Sequence, residues 1–309
     1  MIIEFTNYFS TNNDDIIVLD LWGGSHIYYK KTKSYIISRD CGFFSNVTVT
    51  MFGVFLLKIN GYEINDLKLT MTDYSFEDIY PQYFIKNDDY ILTFDDLTEK
   101  DLMDFLVYSH PSKFGLGYPK PSHMDFYDRS LNLEITNRLI KKYFTPNSEV
   151  FNYYKSLCLK KGITDDDYVF IWARRTDKIE ENSIPNAEQY YNVLKSNNLL
   201  TERIFVQTDD QTMFNEFKEL NMTFEYFDEI PFAKGYCFHR LISKTPDEEF
   251  FNDYKINKKE YNMQIISIVL LALNAKKCLI YPGCGSTVVP MYKNTYNNCF
   301  LFSDDQNLY

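Results

Sequence analysis

The chain lacks the marks of several protein classes. Its six cysteines, Cys41, Cys158, Cys237, Cys278, Cys284 and Cys299, never stand at CxxC spacing, and it has only four histidines. Such scatter offers neither a zinc-site template nor a disulfide framework, so free thiols in a reducing compartment are expected. The longest apolar run, residues 265–273, is about half of what spans a bilayer and reads as a buried helix. No secretory leader is legible at the start, where Met1-Ile2-Ile3-Glu4-Phe5-Thr6-Asn7 meets polar residues too soon, so a cytoplasmic protein is expected. Positive charge is not in excess either. A net charge of −11 disfavours non-specific nucleic-acid binding. No internal repeat or low-complexity segment occurs. The bias toward Asn, Lys, Ile and Tyr is that of an AT-rich genome, such as a viral one.

What is present is a great deal of apolar and aromatic material: 45% of the 309 residues are hydrophobic and 17% aromatic. A chain of this length suits two domains, here 1–155 and 156–309. The boundary follows from a helical stretch over 131–161 that stops at Lys160-Lys161-Gly162, basic residues and a glycine at a helix end. In the first half, residues 15–21 and 34–38 read as strands, with Gly23-Gly24 a turn between them. Gly42 lies in a loop ahead of an apolar helix over 47–57. Such a loop holds phosphates or sugars in many α/β folds, or is merely a turn.

The second half alternates cleanly. Strands are expected at 168–173, 203–207, 223–227 and 277–281, and helices near 186–196, 211–220, 260–274 and 286–293. That order implies a parallel, doubly wound α/β sheet. In such a sheet, ligands bind outside the carboxyl ends of the strands. Three of those ends are polar. Arg174-Arg175-Thr176-Asp177-Lys178 follows the first strand, offering guanidinium forks and an ammonium suited to phosphate oxygens. Thr208-Asp209-Asp210 follows the second, with groups that bond a ribose or base edge or simply cap the next helix. Gly283-Cys284-Gly285-Ser286-Thr287 opens the last helix, where backbone N–H groups and the helix dipole hold a diphosphate. The bland reading of the arginine segment is a surface ion cluster capping the next helix, and Asp209 or Asp210 taken singly reads equally well as a cap. Together the three ends read as a pocket for a nucleotide or nucleotide sugar.

The succession strand-Arg-Arg-Thr-Asp-Lys, Thr-Asp-Asp, then a Gly/Ser loop before a terminal helix resembles the α1,6-fucosyltransferases. More broadly it is similar to the fucosyltransferase superfamily of GT-B fold, over residues 165–295. The first half resembles it only through the Gly42 loop. The resemblance implies two Rossmann-like domains facing a cleft, and an inverting transfer of fucose from GDP-fucose to a glycan hydroxyl. No resident cofactor or metal is implied, and no DxD-type metal motif is placed at a strand end. Arg174 and Ser286 would grip the β-phosphate, with Arg175, Gly42, Asp210, Gly285 and Thr287 also in the donor site. Thr208 and Asp209 would sit near the nucleoside, and Asp177 and Lys178 around the reacting centre. Anchored on Tyr190, the family's catalytic carboxylate falls on Glu181. Anchored on the arginines it falls on Asn182, which leaves Glu180 in competition with Glu181.

The chain departs from the family pattern twice: Trp172 stands where core-fucosylating members have histidine, and Val269 where a base-reading aspartate is expected. Another nucleotide-sugar donor, a non-catalytic nucleotide- or glycan-binding protein of the same fold, and a structural surface protein are the other readings. The polar strand ends argue against the last of these.

Overall fold

The computed structural model describes residues 9–21, 24–39, 43–70, 78–102, 105, 130–173, 175, 185–230, 257–280, 288–295 and 298–301. The chain divides into two compact units, Met1–Asn147 and Ser148–Tyr309, each a mixture of helices around its own sheet. No helix among the described residues is long and apolar enough to cross a membrane.

The first unit carries strands β1 (Phe9–Asn13), β2 (Ile16–Leu19), β3 (Gly24–Tyr29) and β4 (Ser34–Arg39). Helix α1 (Phe43–Ile59) and strand β5 (Asp66–Thr70) follow. The strands form one sheet in the order β1-β2-β3-β4-β5. Only β4 and β5 pair in parallel, with α1 as their crossover; the other pairings are antiparallel. This differs from the Rossmann-like first domain expected from sequence; of the expected Gly23-Gly24 turn, Gly23 lies outside the described residues. Gly24 opens β3, paired with Arg39 of β4. Its segment Gly-Ser-His-Ile-Tyr-Tyr looks polar, yet His26 and Tyr28 are buried, and His26 Nδ1 lies 3.0 Å from the Tyr35 hydroxyl. Hydrogen bonding makes these side chains tolerable inside.

Helix α1 is apolar on all sides and buried along most of its length, as such a helix must be. Gly53 lets it approach β4. A Cβ there would lie 1.8 Å from the Tyr35 hydroxyl oxygen and 2.7 Å from its Cζ, and Tyr35 is wholly buried. Gly53→Ala is therefore expected to destabilise the first unit by about 1–3 kcal/mol through overpacking, despite alanine's helix propensity. Urea unfolding checks this; a midpoint at or above wild type would show that Tyr35 gives way freely.

Helix α2 (Tyr80–Tyr83), β6 (Phe84–Ile85), α3 (Ser130–Tyr143) and β7 (Thr145–Pro146) follow among the described residues of the first unit. The helical stretch expected over 131–161 is thus two helices, interrupted where β7 pairs with β6 and Pro146 withholds a donor.

The second unit begins with α4 (Ser148–Lys161), β8 (Val169–Ala173), α5 (Ala187–Ser196), β9 (Ile204–Thr208) and α6 (Gln211–Glu219). Helix α7 (Lys258–Asn274), β10 (Lys277–Ile280), α8 (Val288–Lys293) and β11 (Cys299–Leu301) follow. All four strands pair in parallel, in the order β11-β10-β8-β9. Every residue of β8 and β9 is buried, which is why their sequences run apolar instead of alternating. On one face Val169, Ile171, Ile204, Val206 and Leu279 join Tyr190, Val193, Met213 and Phe217 of α5 and α6. The other face meets α7: the Tyr168 hydroxyl donates to the Leu271 carbonyl at 2.6 Å, and Tyr168 packs edge-on against Phe205.

Two details depart from the expected alternation. The strand anticipated at 223–227 reduces to one bridge, Phe205 to Glu225, held by two backbone hydrogen bonds. Strand β11, three residues long, adds an edge that no periodicity announced.

Candidate functional site

Strand order decides where this sheet can bind. From β8 the chain crosses to β9 on one side, then later to β10 on the other. The winding reverses between β8 and β10, whose carboxyl ends are Ala173 and Ile280. Open α/β sheets take their ligands at such a switch point. In sequence Arg174 follows β8 directly and residues 283–287 follow β10, all of them outside the described residues, while β9 ends at Thr208 next to β8.

Arg175 makes a two-pronged pair with Glu216 of α6, Nη1 to Oε1 at 2.5 Å and Nη2 to Oε2 at 2.9 Å. Nη1 also donates to Thr212 Oγ1 at 3.2 Å and lies 3.6 Å from Asp210 Oδ2. Glu216 in turn accepts from the Ala187 N–H at 3.4 Å, at the start of α5. The second arginine is therefore engaged inside the protein, tying the β8 exit to α6 and to α5. Its backbone N–H donates to Asp209 Oδ1 at 2.8 Å, which fastens the turn after β8 to the turn after β9.

The three residues after Val206-Gln207 divide the work. Thr208 is buried, and its Oγ1 accepts from the Asp210 N–H at 3.1 Å. Asp209 holds Arg175 as described. Asp210 caps α6, accepting from Thr212 N at 2.9 Å and from Thr212 Oγ1 at 2.7 Å. A cap of this kind contributes about 1 kcal/mol. Upstream, Thr164 and Asp167 close the turn that feeds β8, at 2.8 Å between Oγ1 and Oδ2.

Arg175, Thr208, Asp209 and Asp210 are thus brought together. Gly42, Arg174, Asp177, Lys178, Glu180, Glu181, Gly285, Ser286 and Thr287 lie outside the described residues. Trp172 and Val269 are both buried, on β8 and α7. Sequence reasoning missed Glu216 and Thr212. The signal was there: with Asp210 as cap, Thr212 and Glu216 fall one turn apart on one face of α6.

Arg175 holds the Glu216 carboxyl below the ordinary carboxylate range, chiefly through their hydrogen bond. A carboxyl depressed in the folded state contributes stability above its unfolded pKa and loses that contribution as pH falls through the folded value. The stability gap between wild type and Glu216→Gln is expected to be widest near neutrality and to close in acid, as pH falls through the lowered folded value. Urea midpoints at several pH values test this, and a gap unchanged by pH would remove the ion pair as its cause.

The second unit is thus a parallel α/β unit in which Arg175 and Asp209 tie the β8 exit to the β9 exit. No protein-family model matches the chain, and no curated protein matches it. Among solved structures, it is similar to NodZ α-1,6-fucosyltransferase soaked with GDP-fucose, with a TM-score of 0.49 and 10% identity over 89% of this chain and 97% of that one. NodZ co-crystallised with GDP gives 0.48 and 11% over 89% and 96%, and a fucosyltransferase NodZ from Bradyrhizobium gives 0.47 and 10% over the same shares.

Proposed function

We propose that the chain is an inverting, metal-independent glycosyltransferase that transfers fucose from GDP-fucose to a glycan hydroxyl. The observation that carries this reading is the switch point between β8 and β10, the two strands that Arg174 and the segment with Ser286 follow in sequence. A diphosphate placed there would meet a guanidinium from one side and a helix-opening Gly-Cys-Gly-Ser-Thr segment from the other.

Transfer then needs little covalent chemistry from the protein. The acceptor hydroxyl attacks the anomeric carbon in line as GDP leaves, and Glu181 takes the proton. Arg174 and the 283–287 segment neutralise charge growing on the β-phosphate, with Lys178 and Asp177 beside the reacting centre. The Arg175–Glu216 pair and the Arg175–Asp209 hydrogen bond support the reading by fixing the residue next to Arg174.

Thermal-shift titration with GDP, GDP-fucose, UDP and UDP-hexoses tests it. A nucleotide at about 100 times its Kd is expected to add roughly 2.7 kcal/mol. No shift with any guanine or uridine nucleotide would remove the pocket. Turnover of the shifted donor is expected to survive EDTA. If chelation abolishes it and Mg²⁺ or Mn²⁺ restores it, Asp209 and Asp210 become metal ligands instead. Binding without transfer to any glycan would leave a non-catalytic nucleotide-binding protein.

A further inference from the structure

Gln207, the penultimate residue of β9, is 2% exposed, and among the described residues neither its Oε1 nor its Nε2 has a hydrogen-bond partner. Folded proteins seldom leave a buried carboxamide doubly unpaired, and an aliphatic side chain would fill the place without that cost. Gln207 therefore calls for a partner from elsewhere.

Its surroundings narrow the choice. Trp172 of β8 is its register partner, so the two side chains rise from the same sheet face, the one that meets α7. That layer changes character along its length. At its lower end Tyr168, Phe205 and Phe227 pack ring against ring. Toward the carboxyl end it turns polar. Gln264 and Ser267, fully buried on the same face of α7 as Leu271, have an unpaired Oε1 and Oγ among the described residues. The end of α7 lies at the amino end of β8, where Leu271 meets Tyr168 and the Asn274 carbonyl accepts from the Asp166 N–H, so Gln264, about two turns before Leu271, lies further toward the carboxyl end. Polar side chains with unmet hydrogen bonds thus occur on both sides of this layer, Gln207 on the sheet and Gln264 and Ser267 on α7.

We infer that Gln207 reads the nucleobase of the bound nucleotide, an assignment that rests on the nucleotide-sugar reading above. A carboxamide presents one donor beside one acceptor. The N1–H and O6 of guanine, or the N3–H and O4 of uracil, present the complement. Trp172 supplies an aromatic neighbour on the same face for the base ring. Gln207 is in this sense a specificity-determining residue: it contacts the base and takes no part in bond making.

Gln207→Leu and the unbranched Gln207→Met test the assignment, with GDP, UDP and inorganic pyrophosphate as probes in calorimetry and thermal melts. Both variants are expected to melt above wild type without ligand, because the unpaired amide is gone. Both are expected to bind the preferred nucleoside diphosphate at least tenfold more weakly while binding pyrophosphate as wild type does. Nucleotide affinity unchanged in both variants would overturn the inference and leave the pocket standing. Melting below wild type in both would overturn it too, by showing that the amide holds the fold. A wild type that binds neither GDP nor UDP would overturn the pocket reading and this inference together.

Discussion

Arg174→Ala is expected to lower kcat/KM for donor transfer by about 10²–10³, a loss of roughly 2–4 kcal/mol of transition-state stabilisation. The adjacent arginine cannot take over. Both prongs of the Arg175 guanidinium are on Glu216, with Thr212 and Asp210 beside them, so freeing it would break an ion pair and strip Thr212 of a donor. Arg174→Lys should rescue little, since an ammonium is a point charge and does not reproduce the planar fork. Steady-state kinetics with saturating acceptor reads the effect. Turnover near the wild-type rate in Arg174→Ala would remove the β-phosphate contact from the mechanism.

Glu181→Gln carries the larger expected effect. Glutamine keeps the size of the side chain and withdraws only its ability to accept a proton, so donor binding is expected to persist while transfer slows by about 10²–10⁴. Glu180→Gln, one residue away, is expected to have little effect. Asn182 has no basic group and cannot serve. Parallel measurement of nucleotide affinity and transfer rate separates the two glutamates. If neither substitution slows transfer, the base is elsewhere and Asp177 is tested next.

The second unit was legible in sequence because burial on both faces forces β8, β9 and β10 into short, nearly unbroken apolar runs. Their polar exits stood out against that background. The first unit hid more. In β3 the buried positions are filled by His26 and Tyr28, so alternation in hydrophobicity fails although alternation in burial is kept. Within the site, Asp210 was readable as a cap from local spacing alone, because a cap depends on neighbours two residues away. The Arg175–Glu216 pair was not, because it depends on which side of α6 turns toward β8. Gln207 was invisible for a related reason. A glutamine before Thr-Asp-Asp looks like the beginning of a polar loop, and only the register with Trp172 puts it inside the sheet.

The strand order also bears on time. β8 and β9 lie about thirty-five residues apart in the chain, whereas β8 and β10 are separated by about a hundred. The first pairing closes a short loop and is expected to form early in refolding. The second must wait until a long intervening segment has been organised. The switch point is the seam between these early and late pairings. A ligand bound across the β8 and β10 exits, as proposed above, would need the later pairing before its site exists. Such a ligand is expected to slow unfolding in proportion to its affinity and to leave the refolding rate nearly unchanged.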